Sequence, residues 1–264
     1  MLEKRAILQN CLPPLGILSI AACVEACGYT VQVLDVHAER LDDAEVVARI
    51  RAANPRFVGI SVLTNMAIPA HRIARLAKQT VPDCVVVCGG VHAEAMPEAM
   101  LANQAVGAVV RGDGEDAMVE IMSGRPFDSI PGLSHRRGLR AVHNPPRPLE
   151  MDLDRYPMPA YHLVNFKNYF PAVGSYRNLP ATNMLMTRGC PGKCTFCNSG
   201  LHHATVALRG EHGGTDHAAP APLRNPPDPV LRRYVHRREE ERPGVLPVDG
   251  GAARRRHVDR LRPR

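Results

Sequence analysis

Three cysteines stand close together late in the sequence. Cys190, Cys194 and Cys197 have the spacing C-x3-C-x2-C within eight residues. Three thiolates this close, on a loop that contains glycine and proline, can hold one side of an iron–sulfur cube. Because a cube has four irons, three cysteines leave one iron open to a group from outside the protein. The spacing therefore indicates an iron–sulfur site with an open iron.

Two other interpretations of the cysteine cluster are open. A zinc ion could take a fourth ligand from His202 or His203, but structural zinc sites usually combine one Cys-x2-Cys pair with a second, distant pair of ligands. The spacing here fits that arrangement poorly. Three surface thiols without any ligand would be exposed to oxidation, which makes this the weakest interpretation.

Glycine, proline and polar residues recur where four predicted strands end. In open α/β sheets, ligands bind beyond the carboxyl ends of the strands, and glycine there lets a large ligand approach the backbone. A single glycine at a strand end can equally form a tight turn and nothing more. Only the combination of the four loops therefore indicates a ligand-binding edge. The candidate cofactor-binding residues are Pro14 and Gly16; Ser61 and Thr64; Gly89, Gly90, His92, Pro97 and Glu98; and Gly112, Gly114 and Glu115.

Short apolar runs alternate with helical patterns through the first half of the chain. Each run is short enough for a strand that is buried on both faces. Alternation of this kind predicts an α/β fold with a doubly wound parallel sheet. The predicted strands are residues 29–34, 57–62, 84–88 and 108–110. The predicted helices are residues 16–27, 43–53, 67–78, 97–103 and 115–122.

Changes in composition divide the sequence into four parts. Residues 1–124 hold the α/β pattern, and residues 125–180 are rich in proline, which predicts a linker. Residues 181–203 hold a short apolar strand, 183–187, that leads into the cysteines. Residues 204–264 form a basic tail with 13 Arg against 8 Asp and Glu, which supplies most of the net charge of +7.

Composition also excludes several classes of protein. No apolar stretch approaches the roughly 20 residues of a membrane-spanning helix, and no signal peptide opens the chain, so we expect a cytoplasmic protein without a membrane span. The charge excess lies mostly in the tail, so the body of the protein shows no preference for nucleic acid. Five cysteines lie among apolar residues, which indicates reduced thiols in or near the core. They are Cys11, Cys23, Cys27, Cys84 and Cys88.

The cysteine loop resembles the signature of the radical S-adenosylmethionine (SAM) superfamily. A strand, Arg188-Gly189, and then C-x3-C-x2-C with Phe196 before the last cysteine carry the resemblance. In that family the cysteines hold a 4Fe-4S cluster, and the open iron chelates the amino and carboxylate groups of SAM. An electron from the cluster then cleaves SAM to a 5'-deoxyadenosyl radical. The resemblance implies that Cys190, Cys194 and Cys197 are the cluster ligands.

The segment before the cysteines resembles the Rossmann-like cobalamin-binding domain of the B12-dependent radical SAM branch. The motifs P-P-L-G, S-x-x-T, G-G-x-H-x-x-x-x-P-E and R-G-D-G-E occur in that order, and the whole resemblance covers about residues 12–201. It implies that the corrin and its nucleotide tail are held by the loops around Pro14, Ser61, Thr64, Gly89, Gly90, His92 and 112–115. It also implies that the start of a partial TIM-like barrel follows.

The resemblance implies a B12-dependent radical SAM enzyme with methyltransferase or oxidative cyclase-like biosynthetic chemistry. The partners it implies are a small-molecule substrate and an electron donor such as flavodoxin or ferredoxin. Two alternatives stay open. One is a non-enzymatic module that binds cobalamin or another small ligand, and the other is a zinc or nucleic-acid binding protein that uses the basic tail.

One histidine resembles a cobalt ligand. Asp35-Val36-His37 is similar to the D-x-H-x-x-G segment of some cobalamin proteins, but Arg40 stands where that motif has glycine. The segment also follows the second predicted strand, whereas the family motif follows the first. We therefore expect no protein histidine beneath cobalt.

Two segments depart from the family pattern. The first strand has only residues 6–10 available to it, so we expect either an abbreviated strand or a native start further upstream. Residues 204–264 contain no Ile, Met, Phe, Trp, Cys, Lys, Gln or Ser. Synonymous codons read one nucleotide later from Ala207 and from Arg232 restore helix and strand patterns. We expect a frameshifted, disordered tail that leaves the chain an inactive fragment.

Overall fold

The computed structural model of this protein describes residues 11–172, 174–176, 178–185, 187–190, 194 and 206–207. All of them lie in the first of the two units into which the chain divides, residues 1–219. The predicted first strand at residues 6–10, Cys197 and nearly all of the tail lie outside the described residues.

Five strands form one mixed sheet in the order β1-β2-β3-β4-β5. The first three, β1 (Phe57–Ser61), β2 (Val85–Gly89) and β3 (Ala108–Val110), are parallel. The next two, β4 (Leu133–Arg137) and β5 (Arg140–His143), continue the sheet as an antiparallel hairpin. A separate two-residue pairing joins β6 (Thr187–Arg188) to β7 (Val206–Ala207).

Among the described residues, six helices cover both faces of the sheet, five of them at predicted positions, whereas α4 was not predicted. They are α1 (Leu15–Ala26), α2 (Asp43–Ala53), α3 (Ala67–Thr80), α4 (Val91–Ala95), α5 (Pro97–Leu101) and α6 (Glu115–Met122). Helix α2 begins with a capping box, in which the Asp42 carboxylate accepts from the Glu45 N–H at 2.9 Å and Glu45 accepts from the Asp42 N–H at 2.9 Å. Both interactions satisfy N–H groups that the helix itself leaves unpaired.

Alternate residues of the central strands face opposite sides of the sheet. Val86 and Cys88 pack in a cluster with residues of α2, α3, α4 and α5. Val87 packs in a second cluster with residues of α1 and α6. Successive side chains in a strand point to opposite faces of the sheet. A strand with helices on both faces therefore contributes apolar side chains to both clusters. The α/β class and the doubly wound arrangement are confirmed.

Residues 29–34 were predicted to be a strand, but the structure assigns them no helix or strand. Val31 and Val33 nevertheless pack beside α1, against a cluster that contains Ala21, Ala22 and Ala160. A strand requires a hydrogen-bonded neighbour. The neighbour that a doubly wound order supplies, residues 6–10, lies outside the described part of the chain.

The segment predicted as a linker, residues 125–180, contains the β4-β5 hairpin, which continues the sheet. Ser134 and His135 are buried in β4, so the period-two apolar pattern is absent from that strand. Further along, Tyr161 and Tyr169 are buried in a cluster with Leu18 of α1. The boundaries after residues 124, 180 and 203 stay predictions.

Arg136 of β4 holds the connection between α5 and β3. Its Nη1 donates to the carbonyl oxygens of Leu101 (2.6 Å) and Asn103 (3.1 Å). Its Nη2 donates to those of Gln104 (3.0 Å) and Val106 (2.9 Å). The last carbonyls of a helix have no partner within the helix. A guanidinium with five N–H donors on a planar frame can satisfy several of them at once.

Two smaller predictions need correction. The strand expected at residues 183–187 is only Thr187–Arg188 among the residues that the structure describes, and its partner Val206–Ala207 lies within the tail predicted to be disordered. The backbone groups of β6 require hydrogen-bond partners, which β7 supplies. In the described part of the chain, no helix has the length and apolar character needed to cross a membrane.

Candidate functional site

The carboxyl ends of the parallel strands lie side by side. Ser61, the last residue of β1, is in register with Gly89, the last residue of β2. Cys88 of β2 is in turn paired with Val109 of β3. The loops that follow β1, β2 and β3 therefore leave the sheet at one edge, and three of the four predicted binding loops begin there.

The loops after β1 and β2 interlock through their backbones. The Val62 N–H donates to the Gly89 carbonyl at 2.8 Å, and the His92 N–H donates to the Val62 carbonyl at 3.1 Å. Gly90 lies between them with φ +89° and ψ 171°, a conformation open almost only to glycine. The structure thus brings together the predicted residues Ser61, Gly89 and Gly90.

The loops around α1 and α6 lie together in the same way. A Cβ on Gly114 would lie 2.6 Å from Cδ1 of Ile20, so a side chain there would require Ile20 of α1 to shift. Gly112, with φ +84°, turns this loop. Pro14 precedes α1 at its N-cap position. A Cβ on Gly16 would meet nothing within 4 Å, so no contact inside the described structure explains glycine there.

Large apolar side chains are exposed on the loops that follow β1 and β2. Leu63 and Met66 come after β1, and Val91 and Met96 come after β2. Their exposed fractions lie between 39% and 55%. Large apolar side chains usually pack in the core, and a group of them exposed on one side of a protein marks a surface that binds another molecule. Thr64 is exposed beside them.

One predicted binding residue, Glu98, contacts the hairpin. The Glu98 carboxylate lies 2.9 Å from Nε2 of His143 in β5. Nδ1 of the same imidazole lies 2.9 Å from the Ser134 hydroxyl, which is buried. Pro97 is buried at the first position of α5. For Glu98 the structure therefore shows a contact within the chain, and its role toward a cofactor stays a prediction. His92 is half-buried at the start of α4.

Glu115 is the most buried charged residue of the predicted set. Its residue exposure is 3%, and both carboxylate oxygens accept from the guanidinium of Arg188, with Nη1 3.1 Å from Oε2. Burial by itself would lower the pKa of Arg188, but the hydrogen bonds and charge of Glu115 outweigh it and raise that pKa above its usual range. The sequence indicated Glu115 as a cofactor contact. In the structure its partner is Arg188, which lies two residues before Cys190.

The cysteines fall into buried and exposed sets. Burial raises the pKa of Cys88 to about 12 and that of Cys23 to about 11. Cys84 is also buried, whereas Cys27, predicted near the core, is exposed at the end of α1. Cys190 and Cys194 are exposed as well. Cys197 lies outside the described residues, and no group of three or more possible metal ligands occurs among the residues that the structure describes.

His37 is exposed in the turn that covers residues 36–40. Asp35, just before it, accepts hydrogen bonds from the Ala38 N–H at 2.9 Å and from the Tyr169 hydroxyl at 3.1 Å. Arg40, at the place where the similar motif has glycine, has φ +56°. The absence of a histidine beneath cobalt stays a prediction.

A family model described as the B12 binding domain matches residues 5–122. Residues 5–122, a little under half of the chain, thus match a B12-binding domain. The match spans the parallel strands, all six helices and the four predicted loops. The edge described above is therefore the edge of a B12-binding domain.

Curated proteins that are similar to this chain include a methyltransferase and a cyclase. The chain is 32% identical over 194 residues to an uncharacterized methyltransferase of Pyrococcus horikoshii, a match that covers 72% of this chain and 41% of that protein. It is 28% identical to an anaerobic magnesium-protoporphyrin IX monomethyl ester cyclase of Synechocystis sp., over 70% of this chain and 38% of the relative. The chain thus spans less than half the length of these relatives.

A solved structure shares the fold. The cobalamin-dependent S-adenosylmethionine radical enzyme OxsB with aqua-cobalamin bound superposes on this chain with a TM-score of 0.62 at 16% identity. The superposition covers 75% of this chain and 28% of OxsB. At this identity the likeness supports the fold.

Sequence reasoning missed Arg188 and Tyr156 as parts of this region. Cζ of Arg188 lies 5.4 Å from the ring centroid of Tyr156, and the Tyr156 hydroxyl donates to Asp116 of α6 at 3.1 Å. The sequence signal for Arg188 was its position two residues before Cys190, within the motif that carries the cysteines. No signal in the sequence indicated Tyr156.

Proposed function

We propose that the B12-binding domain of this chain holds cobalamin at the carboxyl edge of its sheet. The carrying observation is that this edge combines glycine-containing loops after β2 and β3, at Gly90 and Gly112, with exposed apolar side chains at Leu63, Met66 and Val91. A corrin presents a broad apolar face, and backbone without side chains is what allows a large planar ligand to come close. The residues present therefore fit the cofactor.

The residues of the edge would act by binding and by excluding water. Exposed apolar side chains after β1 and β2 would cover one face of the corrin, and the glycine-containing loops would leave room for its nucleotide tail. Pro14 and Gly112 would shape the adjacent loops. When bound, cobalamin supplies a cobalt centre that carries a methyl group or an electron, and the protein contributes orientation and environment.

We further propose that the chain belongs to a radical SAM enzyme. Cys190, Cys194 and Cys197 would bind three irons of a 4Fe-4S cluster, and the fourth iron would hold SAM. The exposure of Cys190 and Cys194 leaves both thiols accessible for assembly of the cluster. The cluster supplies the electron for reductive cleavage of SAM. Methyl transfer or oxidative cyclisation of a small molecule in the cytoplasm, with electrons from flavodoxin or ferredoxin and no nucleic acid, is the proposed activity of the whole enzyme.

Two measurements on the 264-residue chain test these proposals separately. Titration with hydroxocobalamin, followed by absorbance after removal of free cofactor, should give one cobalamin per chain. Anaerobic reconstitution followed by metal and sulfide analysis should give iron and sulfide, and Cys194→Ala should abolish both while leaving the circular dichroism of the α/β domain unchanged. Bound zinc without sulfide would overturn the cluster, and failure to retain cobalamin would overturn the cobalamin site.

The axial ligand is tested in the same titration. His37→Gln should leave the absorbance spectrum of the bound cobalamin unchanged, because we expect no histidine beneath cobalt. A change from a histidine-ligated to a base-off spectrum would show that the D-x-H segment binds cobalt after all.

A further inference from the structure

We propose that Glu115 is a positioning residue, which fixes Arg188 and thereby holds the beginning of the cysteine loop against the cobalamin-binding edge. The inference rests on the proposed function, since it treats Cys190 as a ligand of the cluster. It assigns Glu115 a different task from the cofactor contact that its sequence position indicated.

The contact joins two distant parts of the chain. Glu115 is the first residue of α6, at the end of the loop after β3, and Arg188 is 73 residues further along in β6. Their side chains expose only 4% and 13% of their surface. A buried charge is costly unless it is paired with good geometry, so separation of the two groups would leave both charges uncompensated. The pair therefore resists any movement of β6 away from α6.

Its geometry restricts orientation as well as distance. Two guanidinium nitrogens donate to two carboxylate oxygens, and such a forked pair fixes the plane of the arginine as well as its position. Asp113 adds a contact of 3.3 Å to Nη1. The Tyr156 ring lies against the guanidinium, 5.4 Å from Cζ to the centroid. Arg188 is thus held from three sides.

The surroundings are themselves anchored on the B12-binding domain. The Tyr156 hydroxyl donates to Asp116 of α6, and the Arg155 guanidinium binds the same carboxylate at 2.6 Å. Arg155 also pairs with Glu150. Because the acids of this network belong to the first turn of α6 and to the chain that follows the sheet, Arg188 is fixed relative to the sheet edge. Gly189 and Cys190 come directly after it.

A purely stabilising ion pair and a positioning pair make different predictions. Either would lower the free energy of unfolding when it is broken. If the pair has a positioning role, its loss also loosens residues 187–190 while the protein stays folded. The distance between the cluster and cobalamin then becomes variable. A direct cofactor contact, in contrast, would weaken cobalamin binding and leave residues 187–190 as they were.

Glu115→Gln and Arg188→Lys test the inference, with Glu120→Gln as the matched control. Glu120 lies on the same helix and also pairs with an arginine, Arg147, so it reports loss of a comparable ion pair elsewhere. In the cofactor-free chain, amide hydrogen exchange of residues 187–190 should rise about tenfold in both test variants and stay unchanged in the control. Arg188→Lys keeps the positive charge and loses the two-nitrogen contact with the carboxylate. It therefore tests the positioning role even where Glu115→Gln fails to fold.

The loaded protein supplies the second readout. The magnetic coupling between cob(II)alamin and the reduced cluster should show a broader distribution of strengths in the test variants than in the control. The affinity for cobalamin should be unchanged. Equal exchange in test and control variants overturns the inference, as does a selective loss of cobalamin affinity in Glu115→Gln. If the parent chain binds neither cobalamin nor iron, the proposed function fails, and the exchange measurement still decides whether Glu115 restrains residues 187–190.

Discussion

Gly90 and Val62 approach each other so closely that a side chain on Gly90 has no room. A Cβ on Gly90 would lie 3.0 Å from both the nitrogen and the carbonyl oxygen of Val62. Both atoms belong to the backbone of the residue that follows β1, and they cannot move without disturbing the end of that strand. This contact joins the loops after β1 and β2 into one edge.

Gly90→Ala should destabilise the protein by about 1 to 3 kcal/mol, because alanine is strained at this φ and ψ and its Cβ would press on Val62. Urea unfolding measures the change. Gly59→Ala is the control, since a Cβ on Gly59 in β1 would meet nothing within 4 Å and its φ is ordinary. Equal stability of the two variants would contradict the close contact.

Gly16→Leu should leave the protein folded and weaken cobalamin binding about tenfold or more, because the larger side chain would occupy space that we assign to the cofactor. Leucine is also a better helix former than glycine in α1. Equilibrium titration with hydroxocobalamin measures the affinity. Ala52→Leu, an exposed substitution on α2, serves as control. Unaltered affinity in Gly16→Leu would place the cofactor elsewhere.

Arg136→Met should cost about 1.5 to 3 kcal/mol of unfolding free energy, because four carbonyl oxygens lose a charged donor. Arg137→Met removes the next arginine, whose side chain is 67% exposed and pairs with Asp128, and should cost at most about 1 kcal/mol. Denaturant unfolding compares the two. A larger effect at Arg137 would refute the role given to Arg136.

The buried and the exposed cysteines should differ in their rates of alkylation. Iodoacetamide reacts with the thiolate, so the raised pKa of Cys88 and the burial of Cys84 and Cys23 should make these three slow to react. The exposed cysteines should react first in the reduced, metal-free protein, namely Cys27, Cys190 and Cys194. Mass spectrometry of tryptic peptides over time gives the order. Rapid labelling of Cys88 in folded protein would contradict the packed core.

His71 should make the protein less stable in mild acid. Burial, followed by the charges of Arg75 and His92, lowers the pKa of His71 below its ordinary value of 6.5, and Asn103 contacts its ring at 3.2 Å. The folded state thus binds fewer protons than the unfolded state, so this stability is complete above the unfolded pKa and is lost as pH falls through the folded pKa. Unfolding measured across this range should show a weaker pH dependence in His71→Gln. An identical dependence in both proteins would count against the assignment.

The sequence by itself determined the elements whose packing is local and apolar. Helices α2 and α6 begin and end where the 3.6-residue pattern predicted, and β1, β2 and β3 occupy the short apolar runs. Such runs are buried on both faces in a parallel sheet, so hydrophobicity alone identifies them. The placement of Ser61, Gly89 and Gly90 at one edge follows from the same rule, because parallel strands align their carboxyl ends.

Tertiary structure alone decided the features that depend on polar partners far away in the chain. Ser134 is acceptable inside β4 because its hydroxyl meets His143 across the hairpin, and no local pattern reveals that partner. The burial of Glu115 is of the same kind, since it depends on Arg188, which joins it only after folding. A buried polar group is stable only once its partner is in place. Residue type and spacing therefore predict apolar elements, whereas the three-dimensional fold selects the polar pairs.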